Sequence, residues 1–489
     1  RDLMIPNIFL KNCAAGLCEP LTHIFNVSLQ QGAFPTIWKL SYVSPIHKDG
    51  PKSEVSNYRP ICIQSALAKL FEKLVLPLLS LFFTDIITNR QHGFTRGRST
   101  SSNLFTYVNY VLSEMNNGHR VHVVYTDFSK AFDRVNHSIL LNKLNSLGVQ
   151  GNALKWLSSY PIDRQLQVRV NGHLSASYDV KTGVPQGPHL GPVLFNIFIN
   201  DIGTNFSSEY FLYADDLKIC RAIVNDSDIQ ALQHDIDQLS AWCLNKKLDL
   251  NIKKCAVISF SRSHTTHPTN YMLNNKVISE VEDIKDLGII IDSKLTFTKH
   301  ISKITLQAHK MLGFITRTCR DFADPRSLLN LYYSLVQPIL EYGSVVWSPY
   351  TDTLISRVEK VQRKMCKTLI YHRAQPTRNI SMEEICCQYK INSLKSRRQI
   401  ADLAFFYKVV NGLIDAPEIN SSFEFAPVNL TLRRNRLLKI TKSTKNYVVN
   451  GPLNRIANLV NSLHNDLDFY GGTYSNFITA TKNKLLDYH

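Results

Sequence analysis

The pattern of apolar and polar positions divides the chain into a mixed first part and a helical second part. Residues 64–83 have the character of a buried helix, and an apolar run after Pro192 predicts another helix over 193–199. Residues 228–243 repeat apolar side chains at spacings of three and four, which predicts an amphipathic helix. β-Branched and apolar runs predict strands at 121–125, at 210–219 around a tight turn, at 256–260 and at 287–291.

Beyond about residue 295 the pattern is mostly helical. One helix is expected from an Asp-Pro start at 324–325 to about Gly343, with a kink at Pro338. Residues 352–370 predict a further helix, whose apolar stripe leaves a face rich in Lys and Arg. Residues 415–450 contain two prolines and many Asn and Ser, so we expect loops there.

Charge is distributed unevenly along the 489 residues. The formal net charge is +17, from 56 Lys and Arg against 39 Asp and Glu. Residues 1–292 hold 28 basic and 25 acidic side chains, so residues 293–489 hold 28 basic and 14 acidic ones. A basic second half favours a polyanionic partner such as nucleic acid, although a solvated basic surface has the same composition.

Composition also narrows the class of protein. The apolar content of 44% fits a globular chain, and the longest apolar run, residues 74–83, is too short to span a bilayer. The N-terminus has no signal-peptide pattern, so we expect an intracellular protein of the nucleus or cytoplasm, not a secreted one, with its ten cysteines reduced. The spacing of Cys and His predicts no zinc site.

Three acidic residues stand out because of where they lie in this pattern. Asp127 ends the apolar run VHVVYTD (121–127), and Asp215 and Asp216 lie at the turn between two apolar strands. Neighbouring carboxylates in apolar surroundings repel each other and lose hydration, and a divalent cation such as Mg²⁺ removes that cost. Two such ions would clamp the attacking and leaving oxygens of a phosphoryl transfer. Because side chains alternate along a strand, Asp127 and Asp215 rank ahead of Asp216.

Eight segments together resemble the reverse transcriptases of non-LTR retrotransposons, the LINE-type and jockey-like elements. YADD at 213–216 is similar to the central motif of that family, and YTDFSKAFDRVNH at 125–137 resembles its first catalytic motif. The other similar segments are NYRPICIQSALAKLFEKLV (57–75), QHGFTRGRST (91–100), GVPQGPHLGPVLFNIFINDI (183–202), NKKLDLNIKKC (245–255), DLGIIID (286–292) and LYYSLVQPILEYGSVVW (331–347). Any one segment is a weak signal, but all of them occur in the family's order.

The resemblance implies an α/β (α+β) right-hand polymerase that copies RNA into DNA. It divides the chain into an N-terminal extension (1–28), a fingers and palm domain (29–292), a helical basic thumb (293–370) and a C-terminal region of unknown role (371–489). The implied partners are an RNA template, a DNA primer or target and deoxynucleoside triphosphates, with no membrane. We find no endonuclease of the kind these elements also carry, so we expect it to be separate or missing.

The same resemblance assigns roles to individual residues. Asp127, Asp215 and Asp216 are the implied catalytic and metal-binding acids, with two Mg²⁺ ions as cofactor and Mn²⁺ as an alternative. The implied nucleotide-binding residues are Lys48, Arg59, Phe132, Gln186 and Gly187. Arg96 and Arg98 are expected to contact nucleic acid, and the basic helix adds Lys360, Arg363, Lys364 and Lys367. The competing interpretation is a core aromatic residue for Phe132 and ordinary surface charge for the basic residues.

Departures from the family pattern leave alternatives open. Pro188 and His189 stand where the family has Ser and a small apolar residue, and Pro161-Ile162 replaces a Leu-containing pair. Because proline fixes φ and has no N–H, the competing hypothesis is a catalytically inactive, nucleic-acid-binding relic of the same fold. Pro188→Ser would then raise polymerase activity. A splicing cofactor of the intron-maturase kind is a third interpretation, which the segment at 331–347 disfavours.

Overall fold

The computed structural model describes residues 5–48, 50–262, 270–319, 324–372, 382–427 and 436–485. Three apolar cores organise these residues. The first is built from side chains between Phe25 and Ile278, and the second from side chains between Leu104 and Leu394. The third consists mainly of residues beyond 400, together with Phe105 and Val345. No helix in the described ranges is long and apolar enough to cross a membrane.

The chain begins with helices that flank a pair of strands. These elements are α1 (Asn7–Asn12), α2 (Ala14–Gln31), β1 (Leu40–His47), β2 (Tyr58–Ile63), α3 (Ala66–Phe83) and α4 (Thr100–Asn116). Ser65 caps α3, because its hydroxyl accepts a hydrogen bond from the backbone N–H of Ala68 at 3.1 Å. The helix predicted at 64–83 is thus confirmed, with Pro77 inside it.

The central part alternates strands and helices. Its elements are β3 (Arg120–Thr126), α5 (His137–Ser146), α6 (Gly151–Ser159), β4 (Arg164–Val170), β5 (His173–Leu174), β6 (Tyr178–Val180), α7 (Leu190–Ile199), β7 (Glu209–Tyr213), β8 (Asp216–Ile223), α8 (Asp226–Lys246), β9 (Ala256–Phe260), β10 (Met272–Leu273), β11 (Lys276–Val277), β12 (Ser279–Glu280), β13 (Asp283–Asp286) and β14 (Ile289–Asp292). The predicted helices at 193–199 and 228–243 and the strands at 121–125 and 256–260 are confirmed. The strand predicted at 287–291 begins only at Ile289, because Leu287 and Gly288 form a turn with positive φ.

Two sheets position the segments that resemble the reverse transcriptase motifs. The first has the order β2-β1-β4-β5, with β6 also paired to β4, and the second has the order β12-β9-β3-β8-β7. In the second sheet β3 pairs antiparallel with both β8 and β9, and Thr126 lies opposite Leu217. The C-terminal end of β3 therefore lies beside the turn that joins β7 to β8.

The second half of the described chain is mainly helical, as predicted. Its helices are α9 (Thr298–Thr318), α10 (Pro325–Leu331), α11 (Gln337–Glu341), α12 (Ser344–Trp347), α13 (Asp352–His372), α14 (Met382–Tyr389), α15 (Leu394–Val410), α16 (Pro417–Ser422), α17 (Asn446–Val449), α18 (Pro452–Leu463) and α19 (Tyr474–Leu485). The helix predicted from 324 to 343 is divided by a π-helical turn, Tyr332–Val336, just before Pro338, which has no N–H to continue the ladder.

One prediction for this half was wrong. Residues 415–450 do not consist only of loops, because α16 begins at Pro417, a residue that suits the first turn of a helix, and α17 follows at 446–449. Residues 428–435 of that segment lie outside the described residues. The C-terminal helices pack on α4, where Phe105 is fully buried and its ring lies 4.8 Å from Phe405 and 5.8 Å from Phe423.

Candidate active site

The acidic pair lies at a two-residue turn between β7 and β8. Tyr213 pairs with Asp216 across the ladder, so Ala214 and Asp215 form the connection. Ala214 has φ +55°, a left-handed conformation that costs an L residue about 1–2 kcal/mol. The alternation of side chains along a strand does not restrict this pair, because Asp215 lies outside both strands and Asp216 begins the second one.

Asp127 directly follows β3 and lies next to this turn. Its carbonyl oxygen accepts a hydrogen bond from the backbone N–H of Asn251 at 2.7 Å. Its carboxylate Oδ2 lies 3.6 Å from Lys254 Nζ, so a cation from the segment before β9 faces the same acid. The structure thus brings the three predicted acids to the ends of neighbouring strands.

The electrostatics of the pair show how costly its placement is. Burial, followed by the negative charge of Asp127, raises the pKa of Asp215, and the positive charges of Lys48 and Arg59 oppose that rise. The side chain of Asp216 is exposed, yet the protein atoms around its carboxyl group displace part of the water that would hydrate it. Burial together with the charges of Asp215 and Asp286 raises the pKa of Asp216 to about 7.

The acids fit a metal ion that takes few protein ligands. Within the described ranges no three His, Cys, Asp or Glu side chains form a ready-made cage for an ion. Carboxylates that resist ionisation and face one another are stabilised when a cation joins them. Mg²⁺ is commonly held by one or two carboxylates, with waters and substrate phosphates completing its shell. Asp127, Asp215 and Asp216 match that donor set.

The predicted nucleotide-binding residues are connected by one loop. The N–H of Cys62 in β2 donates to the carbonyl of Gln186 at 2.7 Å, and the N–H of Val184 donates to the carbonyl of Phe132 at 2.8 Å. The loop before α7 therefore runs between β2, which carries Arg59, and the segment that follows Asp127. Lys48 directly follows β1, and its N–H donates to the carbonyl of Asn57 at 2.8 Å, which places it beside the start of β2. The side chains of Lys48 and Arg59 are both exposed on this strand pair.

Gly187 occupies a place where a side chain would not fit. Its φ is +123°, and a Cβ there would lie 2.6 Å from the carbonyl oxygen of Cys62. The neighbouring Gln186 donates from Nε2 to Asp133 Oδ1 at 3.1 Å, and burial raises the pKa of Asp133. The loop is therefore shaped by its contact with β2, and glycine is required at residue 187.

Phe132 has features of a core aromatic residue and also of a nucleotide-binding residue. Its ring stacks on Phe195 of α7 with centroids 4.2 Å apart, and Phe94 meets it edge-on at 6.1 Å. These contacts hold the ring in place, but the residue is only half-buried, so part of its surface stays open. A fixed and partly open ring suits a surface on which a sugar rests, and this role remains a prediction.

Comparison with known proteins decides the family. The family model described as reverse transcriptase (RNA-dependent DNA polymerase) matches residues 46–313, more than half of the chain and all three acids. The chain belongs to the reverse transcriptase family. Its predicted α/β right-hand polymerase fold with a helical second half is confirmed. Reverse transcriptases use divalent metal ions and an RNA template, which agrees with the acids and the basic surface.

The relatives of this reverse transcriptase come from non-LTR retrotransposons, as the resemblance predicted. The RNA-directed DNA polymerase from mobile element jockey of Drosophila melanogaster is 31% identical, covering 71% of this chain and 39% of that protein. The probable RNA-directed DNA polymerase from transposon X-element of the same species is 28% identical with the same coverage. The chain thus spans about 40% of the length of these curated relatives. A solved structure of apo telomerase from Candida tropicalis is 12% identical over 73% of this chain and 63% of its own, with a TM-score of 0.41.

The two arginines predicted to contact nucleic acid lie in different environments. Arg96 is exposed. The side chain of Arg98 is only 4% exposed, and its Nη1 lies 3.3 Å from Glu418 Oε1 in α16. Glu418 also lies 3.1 Å from His92 Nε2. Arg98 is therefore held in a contact with the C-terminal region, and its contact with nucleic acid stays a prediction.

The basic face of α13 has the predicted form. Val358, Val361, Met365 and Leu369 are fully buried and form its apolar stripe. The four basic residues predicted to bind nucleic acid are all exposed: Lys360, Arg363, Lys364 and Lys367. Whether nucleic acid binds there remains a prediction.

Two residues that set the electrostatics were missed by sequence reasoning. Lys218 Nζ lies 2.7 Å from Asp286 Oδ2, and both side chains are almost fully buried. Asp286 raises the pKa of Asp216 and Lys218 lowers it, after burial and Asp215. A signal existed, because Lys218 lies between the apolar residues Leu217 and Ile219 of β8, and a buried lysine requires a partner.

Pro188 fits its surroundings without a lost hydrogen bond at the start of α7. Glu72, a fully buried residue of α3, accepts hydrogen bonds from the backbone N–H of His189 at 2.7 Å and of Leu190 at 3.1 Å. These are the first free N–H groups of the helix, and neither belongs to residue 188. The observation weakens the hypothesis that Pro188 disables the site.

Proposed function

We propose that this chain is the polymerase-bearing part of a non-LTR retrotransposon protein and adds deoxynucleotides to a DNA primer on an RNA template. The observation that carries the proposal is the meeting of Asp127, Asp215 and Asp216 at the ends of β3, β7 and β8. Among the described residues, this group combines mutually repelling carboxylates with the nearby charges of Lys48 and Arg59. The family match and the curated relatives support the same activity.

The three acids would hold two Mg²⁺ ions, with Mn²⁺ as a possible substitute. Such ions, when bound, activate the primer hydroxyl and neutralise the pyrophosphate that leaves. The raised pKa of Asp215 and of Asp216 supports this assignment, since a cation relieves the repulsion that raises it.

The remaining residues of the site bind and orient the incoming nucleotide. Lys48 and Arg59 are exposed on the β1–β2 pair and supply positive charge for the triphosphate, with the Arg guanidinium suited to two parallel hydrogen bonds. Phe132 lies under the sugar, where its bulk excludes a 2′-hydroxyl and selects deoxynucleotides. Gly187 lets the loop backbone approach the new base pair, because no Cβ separates them.

A basic surface further along the chain would hold the template–primer duplex. The exposed basic face of α13 lies in the half with a large excess of Lys and Arg, and it would bind the phosphate backbone of template and primer.

Primer extension on poly(rA)·oligo(dT) with Mg²⁺ tests the function. The unaltered chain should extend the primer, and Asp215→Asn should lower the rate at least a thousandfold while it still binds primer–template. Asp237→Asn is the matched control, because Asp237 is exposed on α8 and should leave the rate unchanged.

Two outcomes would contradict the proposal. Extension that survives Asp215→Asn would show that another site catalyses it. A folded chain that binds primer–template in a salt-dependent way but never extends it would favour the inactive relic, and Pro188→Ser would then be the variant to measure next.

A further inference from the structure

A buried glutamine holds the turn that carries the acids. Gln91 is 1% exposed, and its Oε1 accepts hydrogen bonds from the backbone N–H of Ala214 at 2.8 Å and of Gly93 at 2.7 Å. Its Nε2 donates to the carbonyl oxygen of Ala214 at 3.1 Å. One side-chain amide therefore satisfies both backbone groups of the residue that adopts φ +55°.

A side-chain amide has the right groups for this contact. The N–H and C=O of Ala214 need an acceptor and a donor side by side, which a carboxylate or a thioether cannot provide. A buried backbone group without a partner is strongly unfavourable, and Gln91 itself is shielded from bulk water, with 1% of its surface exposed. The left-handed conformation of Ala214 therefore depends on Gln91.

The backbone around Gln91 strengthens the same connection. Residue 91 forms a parallel bridge with Leu212 at the end of β7, the N–H of His92 donates to the carbonyl of Leu212, and the N–H of Leu212 donates to the carbonyl of Arg90, both at 3.0 Å. A Cβ on Gly93 would lie 2.2 Å from the backbone nitrogen of Ala214. The segment thus lies against the turn as closely as a backbone allows.

We propose that Gln91 is a positioning residue for polymerisation: it fixes Ala214 in the left-handed conformation and so fixes the directions in which Asp215 and Asp216 point. This inference rests on the proposed function, to which it adds a residue outside the acids and the nucleotide-binding group. Gln91 touches no reacting atom and acts only through the turn.

Gln91→Met tests the proposal, because methionine keeps the length of the side chain and removes all three hydrogen bonds. We expect kcat for primer extension to fall at least tenfold, while KM for primer–template changes less than threefold. Hydrogen exchange measured by mass spectrometry should become faster in a peptide covering residues 210–217. Gln337→Met is the matched control, since Gln337 is also buried but bonds to Glu341 in the helical half.

Each outcome decides the matter. An unchanged kcat, or faster exchange spread evenly over the chain in proportion to a lower Tm, would overturn the positioning role. Should Gln91→Met fail to fold, Gln91→Asn keeps an amide but shortens the side chain by one methylene, so that it no longer reaches both backbone groups of Ala214, and full activity in that variant would overturn the proposal. Should the unaltered chain not polymerise, the exchange measurement still tests the turn, so failure of the function and of the inference are distinguishable.

Discussion

The turn that carries Asp215 and Asp216 and the basic face of α13 arrange their charges in opposite ways. At the turn, like charges are brought together by backbone contacts so close that Gly93 cannot carry a side chain without a shift of its neighbours, and Gly187 in the loop before α7 is equally restricted by β2. On α13, four positive side chains project from a packed stripe into solvent. The turn depends on shape, whereas the helix face depends on summed charge. Small changes of shape should therefore disable the first region, and single charge changes should barely affect the second.

A pair of glycine substitutions tests this difference most strongly. Gly187→Ala should lower the extension rate at least tenfold and the free energy of unfolding by about 1–3 kcal/mol, because its φ of +123° and the carbonyl of Cys62 oppose a Cβ. Gly313→Ala in α9 meets only Arg317 Nη1 at 3.6 Å and should stabilise the protein by up to about 1 kcal/mol. The extension rates and thermal unfolding of both variants measure the contrast. Equal effects of the two substitutions would remove it.

Acid should destabilise both halves of the chain, since each contains a buried neutral histidine. Burial lowers the pKa of His122 in β3 and of His300 in α9 to about 4, with Arg120 and Lys303 adding to the effect. The unfolded chain takes up these protons near pH 6.5 and the folded chain does not, so the free energy of unfolding falls as pH drops below about 6.5. The expected loss is roughly 2 kcal/mol per histidine at pH 5.

Denaturant unfolding between pH 7 and pH 5 measures this loss. His122→Gln or His300→Gln should reduce the pH dependence, whatever each does to stability at pH 7. The exposed His234 provides the control, because His234→Gln should leave the dependence as it is. A pH dependence that neither buried-site variant alters would show that other groups cause it.

Glu418 connects the segment that contains His92 and Arg98 to the C-terminal region. Its loss should lower the stability of the protein moderately. Burial disfavours the Glu418 carboxylate, but the hydrogen bond from His92 and the charge of Arg98 outweigh it and lower the pKa of Glu418. Glu418→Gln should reduce the free energy of unfolding by about 1–2 kcal/mol, since the nearly buried Arg98 loses its ionic partner. Glu424→Gln in an exposed ion pair should leave Tm unchanged. Identical Tm values for the two variants would argue against a structural role of this contact.

The basic face should respond least to any one substitution. Replacing Lys360, Arg363, Lys364 and Lys367 together by Gln should weaken primer–template binding about tenfold and lower its salt slope by up to about four, whereas each single change should cost about twofold or less. Four exposed lysines outside this half serve as the control set: Lys11, Lys73, Lys155 and Lys276. Binding measured over a series of salt concentrations distinguishes the sets, and equal slopes would mean that α13 does not contact the strand.

Sequence reasoning predicted the acids and most of the elements around them. Asp127 and the Asp215–Asp216 pair follow from a short strand and a turn, which are local patterns that the chain shows by itself. The strands at 121–125 and 256–260 were predicted for the same reason. The π-helical turn before Pro338 and the short α16 were not, because tertiary contacts and single prolines decide them.

The supporting contacts were harder to predict because they join distant parts of the chain. Arg98 looked like a surface cation within a glycine-rich segment, and only the fold brings it to Glu418, 320 residues later. Gln91 is the first residue of the segment 91–100, which resembles a motif of the family, yet its hydrogen bonds to Ala214 span 123 residues. Partners at such separations leave no local pattern.

The burial of Phe105 bears on where this protein can be shortened. Its ring lies among Phe405 and Phe423, so a recombinant protein ending at residue 372 would leave a large aromatic side chain of α4 in water. Uncovered aromatic patches promote aggregation. Insolubility of such a truncated protein would reflect a broken hydrophobic core and would give no information about whether the enzyme is active.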